Sequence, residues 1–469
     1  MARADAAPRL ATALVAGAFF MENLDGTVIA TAMPQMANSF GVRPPDLHIG
    51  MTVYMLALAV FIPISGWVAD RFGARRTFTS AIALFTFASI LCGISHSLPL
   101  FTAARVLQGI GGAMMVPVGR LVVLRVTEKK DLIHAIATLT WPGLIAPLIA
   151  PPLGGFITAY ANWRWIFFLN IPLGILAFVL SRLWIREEKR PEPPPLDRWT
   201  FLFCAIGCTA FICGLETMRL PRIPWVQTLL LAALSLLMAF MAVRATRRAA
   251  FPIIDLESMK LKTFASTVMG GSVFRVAISV APFLLPLMFQ TAFGLDAFQA
   301  GLLVLALFAG NVAMKPLTTP ILKRFGFRNV LIVNGVITAL AMAACALLQP
   351  GTPRVFILAL LFLNGLCRSL QFTAIATLTF VDVPAERMSS ANSFSSLAHR
   401  LSMGLGVAAG ALALQLGYAL KGQGVAAFHV AFILSAVLAI VGILDSFKLP
   451  LDAGSVTSGH RPRRAEPTS

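Results

Sequence analysis

The chain has 469 residues, of which 58% are hydrophobic and only 12% charged, and its mean hydropathy is +0.81. An ordinary soluble domain carries roughly 25% charged residues, so this composition excludes both a water-soluble fold and intrinsic disorder. The formal net charge of +18 would suggest nucleic acid for a soluble protein; in a membrane protein it suggests a cation bias between the two faces of the bilayer.

A hydrocarbon core about 30 Å thick requires about 20 apolar residues of helix. Fourteen runs meet this requirement, at roughly 10–34, 47–68, 77–97, 99–124, 132–159, 163–185, 199–218, 224–243, 263–291, 297–321, 329–349, 353–380, 389–417 and 425–447. The first run follows Arg3 and Arg9 as a signal peptide would, but Glu22 and Asp25 interrupt it and thirteen more runs follow. It is read as a retained span. With the N-terminus inside, 26 of the 38 Lys and Arg fall in inner segments, 6 in outer segments and 6 within spans. This predicts both termini in the cytoplasm and accounts for the charge without nucleic acid. Cys92, Cys204, Cys208, Cys213, Cys345 and Cys367 lie in or beside apolar runs and read as core residues, with no metal site.

An internal repeat organises the runs. Asp70-Arg71-Phe72-Gly73-Ala74-Arg75-Arg76 follows the second run, and Lys323-Arg324-Phe325-Gly326-Phe327-Arg328 follows the tenth. Two related halves of this size are a transporter architecture. The predicted organisation is all-α and polytopic. Residues 1–190 form an N-terminal six-helix bundle and 263–447 a C-terminal one. Between them, 191–262 holds a linker Pro191-Glu192-Pro193-Pro194-Pro195, two extra spans and a segment 244–262 expected on the inner membrane surface. Residues 448–469 form a cytoplasmic tail, expected to be disordered from Leu451 onward.

The motifs resemble those of the major facilitator superfamily, in its fourteen-span drug:proton antiporter branch. Gly66 to Arg76 resembles the family's signature loop. Leu24-Asp25-Gly26-Thr27 resembles the first-span motif of the branch, and Arg105-Val106-Leu107-Gln108-Gly109 resembles its Arg-x-x-Gln-Gly motif. Asn162-Trp163-Arg164-Trp165 and Asn170-Ile171-Pro172 are also similar to this branch. Span 5 departs from the family's Gly-rich pattern. Pro147, Pro151, Gly154 and Gly155 are in place, but Ala137, Ala146 and Ala150 stand at glycine positions. The residues remain small, so close helix packing is still expected. The resemblance implies two six-helix bundles of the major facilitator fold plus two extra spans. It implies a loop of Gly66, Asp70, Arg71, Gly73, Arg75 and Arg76 that acts as a conformational gate, and an Arg105 that controls protonation of a nearby acid.

Charged residues inside a bilayer are expensive and are functional candidates by default. Glu22 and Asp25 share a helix face at i, i+3 spacing. They repel when both are ionised, so one of them is expected to carry a proton. Arg120 is expected to pack on the signature loop, and Lys315 to snorkel. Arg275, Arg368 and Arg400, with Asn364, are candidate substrate-cavity residues. Their positive charge favours anionic or neutral solutes.

The function expected from these residues is proton-coupled export of small molecules by alternating access, in a bacterial inner membrane. The partners are a small-molecule substrate, protons and the lipid bilayer, with no nucleic acid, and the protein is expected to be a monomer. No GxxxxGK[ST] loop is present, so ATP is not the expected driver, and neither a cofactor nor an enzymatic activity is expected. The alternatives are proton-coupled export of an anionic metabolite and a non-transporting membrane receptor.

Overall fold

The computed structural model describes residues 2–42, 44–185, 195–218, 223–422 and 424–459. Among them there are helices and turns and no strand. That is the outcome apolar runs demand in lipid, where every backbone N–H and C=O must find a partner within its own segment.

Each apolar run falls on a helix or a broken helix. The first five lie on α1 (Ala2–Phe40), on α2 (His48–Phe61) continued by α3 (Ser65–Phe72), on α4 (Ala74–Ile94), on α5 (Leu98–Val126) and on α6 (Leu132–Tyr160). The sixth combines α7 (Trp165–Phe168) with α8 (Asn170–Trp184), and the extra pair is α9 (Arg198–Thr217) and α10 (Trp225–Thr246). The rest lie on α11 (Lys262–Thr291), α12 (Ala297–Ala313) with α13 (Lys315–Phe325), α14 (Phe327–Cys345), α15 (Arg354–Val381), α16 (Met388–Lys421) and α17 (Val425–Ile443). Among the described residues, eleven helices are long and apolar enough to cross a bilayer, and the α12–α13 pair, bent by 51° at its break, makes a twelfth. The break has a chemical cause, because Pro316 follows Lys315 and cannot donate to the preceding turn. Pro63 explains the 3-10 turn Ile62–Ile64 between α2 and α3 in the same way.

The chain divides into two compact units. Unit 1 comprises Met1–Thr127, Thr138–Leu256 and Pro384–Arg400; unit 2 comprises Glu128–Ala137, Glu257–Val383 and Leu401–Ser469. The extra helices α9 and α10 thus group with the N-terminal spans. The core of unit 1 is built on α1, where Leu24, Val28, Ile29 and Ala32 pack with Ala146 and Ala150 and with the buried Trp163 and Phe167. In unit 2, Phe264, Leu284, Met288, Phe327, Leu361, Leu378 and Phe432 are buried.

The repeat is visible within each unit. Gly73 (φ 93) and Gly326 (φ 75) both adopt positive φ between two helices, and each donates its N–H to the carbonyl four residues back, Ala69 and Leu322, at 3.0 Å. Only glycine takes this conformation without strain.

In segment 244–262, Ile253 and Ile254 are buried with Cys204 and Ala242 and packed by Trp67, Phe203 and Phe394, while Arg247, Arg248 and Phe251 are exposed. One expectation needs correction. The tail is ordered through Gly459. A short helix α18 (Ser455–Ser458) buries Thr457 and Ser458, and Gly454 sits against Phe327 and Leu378. Small residues allow a polar-looking stretch to pack closely, which composition alone did not show. The linker residues 191–194 lie outside the described residues, as do 460–469.

Candidate functional site

Asp25 lies in the interior of unit 1 and is 1% exposed. Arg105 of α5 donates from Nη1 to Asp25 Oδ2 at 2.7 Å, and Gln108 Nε2 and Asn170 Nδ2 each donate to Asp25 Oδ1 at 2.9 Å. Helix geometry brings these donors together, because Arg105 and Gln108 share a face at i, i+3. The donors are themselves held. Arg105 also donates to Gln108 Oε1 at 2.6 Å, Gln108 and Asn170 both reach Ser89 Oγ, and the Tyr54 ring covers the guanidinium at 4.1 Å. A buried charge is tolerated when it is paired and its remaining lone pairs are satisfied. Both carboxylate oxygens of Asp25 thus have donors in place, and the Arg105 charge has its partner.

Glu22, one turn earlier, is held differently. Its Oε1 accepts from Arg400 Nη2, while its Oε2 is buried without a hydrogen-bond partner. The Arg400 side chain is 28% exposed, against 1% for Arg105. The Tyr54 hydroxyl is also buried without a partner, and a Cβ added at Gly112 would lie 3.4 Å from it and 3.9 Å from the Glu22 carboxyl carbon. The two acids that share a face of α1 therefore have separate arginines and separate surroundings.

In the signature loop, Asp70 is 6% exposed and pairs with Arg125 Nη2 at 2.5 Å. Arg125 is therefore a partner of Asp70. Arg120, expected there from the sequence, instead reaches Ser396 Oγ at 3.5 Å and lies over the Phe19 ring. Arg125 could have been found as the one cation in the last turn of α5. Gly66 donates its N–H to Ser393 Oγ at 3.0 Å, and an added Cβ would meet Ser389 O at 2.7 Å. Arg71 and Arg76 are exposed and Arg75 is half-buried. In α6, Thr158 Oγ1 bonds back to Gly154 O and Gly155 O, and a Cβ at Gly155 would meet nothing within 4 Å. Pro147 and Pro151 belong to the same helix.

Of the candidate cavity residues, Arg400 is in unit 1 on Glu22, and the other three are in unit 2. Arg275 is 5% exposed and donates to Thr267 O in its own helix at 3.5 Å. Lys315 turns inward and donates to Thr373 Oγ1 at 2.9 Å. Asn364 is 3% exposed with its Nδ2 unpartnered, and Arg368 is half-buried with Nη1 unpartnered. All six cysteines are free thiols. Among the described residues no cluster of His, Cys, Asp or Glu could hold a metal.

Apolar helices in two units, a repeated glycine-turn loop, and a buried acid held by an arginine of another span together define a polytopic membrane transporter. Residues 15–280 and 267–468 match the model of the Major Facilitator Superfamily, and the chain belongs to that superfamily; it is a secondary transporter and not an enzyme. It is 35% identical over 465 residues to a Klebsiella pneumoniae protein provisionally named multidrug resistance protein MdtD, covering 96% of this chain and 97% of that one. It is 37% identical over 405 residues to the protein of the same provisional name in Salmonella typhimurium, with 84% of each chain covered. The fold is similar to that of the human organic anion transporter MFSD10 (TM-score 0.69, 12% identity, 94% of this chain and 99% of that one). It is also similar to the proton:xylose symporter XylE (TM-score 0.68, 14% identity, 96% and 97%).

Proposed function

We propose that the protein is a proton-coupled exporter of small molecules that works by alternating access, with Glu22 carrying the proton. The observation behind this reading is the asymmetry between the two acids. Asp25 has three donors in place, whereas Glu22 has one oxygen on a partly exposed arginine and one buried oxygen left over. A buried charged oxygen without a partner is costly, and a proton on Glu22 would remove its charge and weaken its hold on Arg400. The Asp25–Arg105–Gln108–Asn170 network then ties α1 to α5 and α8, and the proton acts one turn away. The loop of Gly66, Asp70, Arg71, Gly73, Arg75 and Arg76, completed by Arg125, is the gate in this reading, and the close approach at Gly66 is what a gate that shuts tightly requires. In this reading Pro147, Pro151 and Gly154 set the packing of α6, and Gly155, with open space at its Cβ, does not.

The same reading places the chain in a bacterial inner membrane as a monomer with fourteen spans and both termini in the cytoplasm. The bias of cations toward one set of loops supports the orientation, and the bacterial relatives support the membrane. The provisional naming of those relatives for multidrug resistance supports export as the direction and drug-like molecules as cargo. The test is transport in everted vesicles with an imposed pH gradient. Glu22→Gln is expected to abolish gradient-driven accumulation while keeping substrate exchange at equal pH on both sides. If Glu22→Gln accumulates substrate at the wild-type rate, Glu22 is not the proton carrier.

A further inference from the structure

Unit 1 shows what this scaffold does with one guanidinium and two carboxamides: Arg105, Gln108 and Asn170 surround the carboxylate of Asp25. Unit 2 contains a similar set of donors with no carboxylate. At the crossing of α12 and α15 the backbones nearly touch. A Cβ added at Gly365 would lie 2.0 Å from Leu307 O and 3.0 Å from Asn311 N, and one at Gly310 would lie 2.1 Å from Phe362 O. Asn364 precedes Gly365, and Arg368 lies on the same face at i, i+4. The same pattern occurs in unit 1, where Gln108 precedes Gly109 and an added Cβ there would meet Tyr54 O at 2.7 Å.

Several polar atoms of this set are unused. Asn311 is 1% exposed and neither its Nδ2 nor its Oδ1 has a partner; Asn364 Nδ2 and Arg368 Nη1 also lack partners. Buried polar groups are nearly always hydrogen-bonded, so three open ones at a single crossing mark a place for something else. Arg368 cannot reach a headgroup. It stands fourteen residues from Arg354 and thirteen from Val381, about 20 Å along the helix axis from either end, farther than its side chain extends. Nor can the neighbouring helices neutralise it, because α11 to α15 and α17 contain no Asp or Glu.

We propose that Arg368, Asn364 and Asn311 form an anion-binding subsite that takes a carboxylate of the transported molecule, as the equivalent donor set in unit 1 takes Asp25. The guanidinium pairs with the carboxylate through charge-assisted hydrogen bonds, and the two amides satisfy its remaining lone pairs. The anion bias expected from three arginines thus narrows to Arg368, since Arg400 is already balanced by Glu22 and Arg275 turns to Thr267 O of its own helix. As a statement about transport this rests on the export reading; as a statement about binding it does not.

The test uses the full-length protein in nanodiscs, without a pH gradient, titrated calorimetrically with 2-naphthoate, its methyl ester and 2-naphthyltrimethylammonium. The wild type is expected to bind naphthoate at least about tenfold more tightly than either other probe. Arg368→Gln should remove that preference and leave ester binding unchanged, and Arg368→Lys should restore part of it. Asn311→Leu and Asn364→Leu should each weaken naphthoate binding by a smaller factor. Thermal midpoints of all variants establish that they are folded, and Arg368→Lys keeps the test available should Arg368→Gln fail to fold. Absence of naphthoate binding, equal binding of acid and ester by the wild type, or unchanged naphthoate affinity in Arg368→Gln overturns the proposal. Wild-type naphthoate selectivity without gradient-driven naphthoate transport in vesicles upholds the subsite and sinks the export reading alone.

Discussion

Asp25→Asn separates a structural role from a coupling role, and its cost can be worked from the contacts. The substitution leaves Arg105 in place, 1% exposed, with its ion-pair partner gone. The new amide also brings a donor into a pocket where Arg105, Gln108 and Asn170 already donate. Breaking a buried ion pair by removing one partner costs about 3–5 kcal/mol, a factor of roughly 150 to 5,000 in the folded population at about 0.59 kcal/mol per RT. Glu22→Gln should cost only about 1 kcal/mol, because the stranded Arg400 can reach solvent and the new amide oxygen can still accept. Asp25→Asn/Arg105→Gln should recover more than half of the loss, since a neutral pair strands no charge. The buried cysteines provide the assay. Cys92, Cys204, Cys208, Cys345 and Cys367 are free and buried, so a thiol-reactive dye reports unfolding of the detergent-purified protein on heating. The expected order of midpoints is wild type, Glu22→Gln, the double mutant, then Asp25→Asn. A wild-type midpoint for Asp25→Asn, or a double mutant no better than that single one, would refute the view of this network as a structural tie.

Two other sites give direct expectations. Arg125→Gln and Asp70→Asn should shift the inside-to-outside accessibility of labelled cysteines in the same direction, because both break the Asp70–Arg125 pair; shifts of opposite sign count against the gate assignment. Gly310→Ala and Gly365→Ala should each lower stability by about 1–3 kcal/mol through overpacking, whereas Gly155→Ala, in a helix and with open space at its Cβ, should not lower the thermal midpoint and should raise it slightly.

The spans were legible in the sequence because lipid leaves a chain few options. Twenty apolar residues in a row must be helical to satisfy their own backbone, and each run accordingly lies on a helix or a broken one. The turn at Gly73 and its repeat at Gly326 were legible for a similar reason, since a glycine between two closely spaced helices marks a conformation that other residues avoid. Charge pairing was not legible in the same way. Glu22 and Asp25 do share a face of α1, as their spacing required, but spacing along one helix cannot say which distant arginine each acid meets. Glu22 meets Arg400, 378 positions away, and Asp25 meets Arg105, 80 positions away. The choice of Arg125 over Arg120 for Asp70 is likewise set by how α3 and α5 pack.

The amide residues were the least legible of all, and the repeat gives them their meaning. In composition Asn311 is one more small polar residue on an apolar span, and its i, i+4 neighbours Leu307 and Lys315 give no hint of a binding group. Its significance comes from Gly365, which lets α15 approach the α12 backbone so closely that the Asn311 side chain is sealed from water with both amide atoms unpartnered. Unit 1 makes the comparable crossing at Gly109, and there Gln108 and Arg105 have an acid to hold. The two crossings differ in one respect that matters for transport: in unit 1 the carboxylate is part of the chain, and the α11–α15 and α17 segments of unit 2 supply none. A donor set that costs stability when empty is retained by a transporter only if something that binds there offsets the cost in turn, and a molecule carrying its own carboxylate is the simplest occupant that completes it.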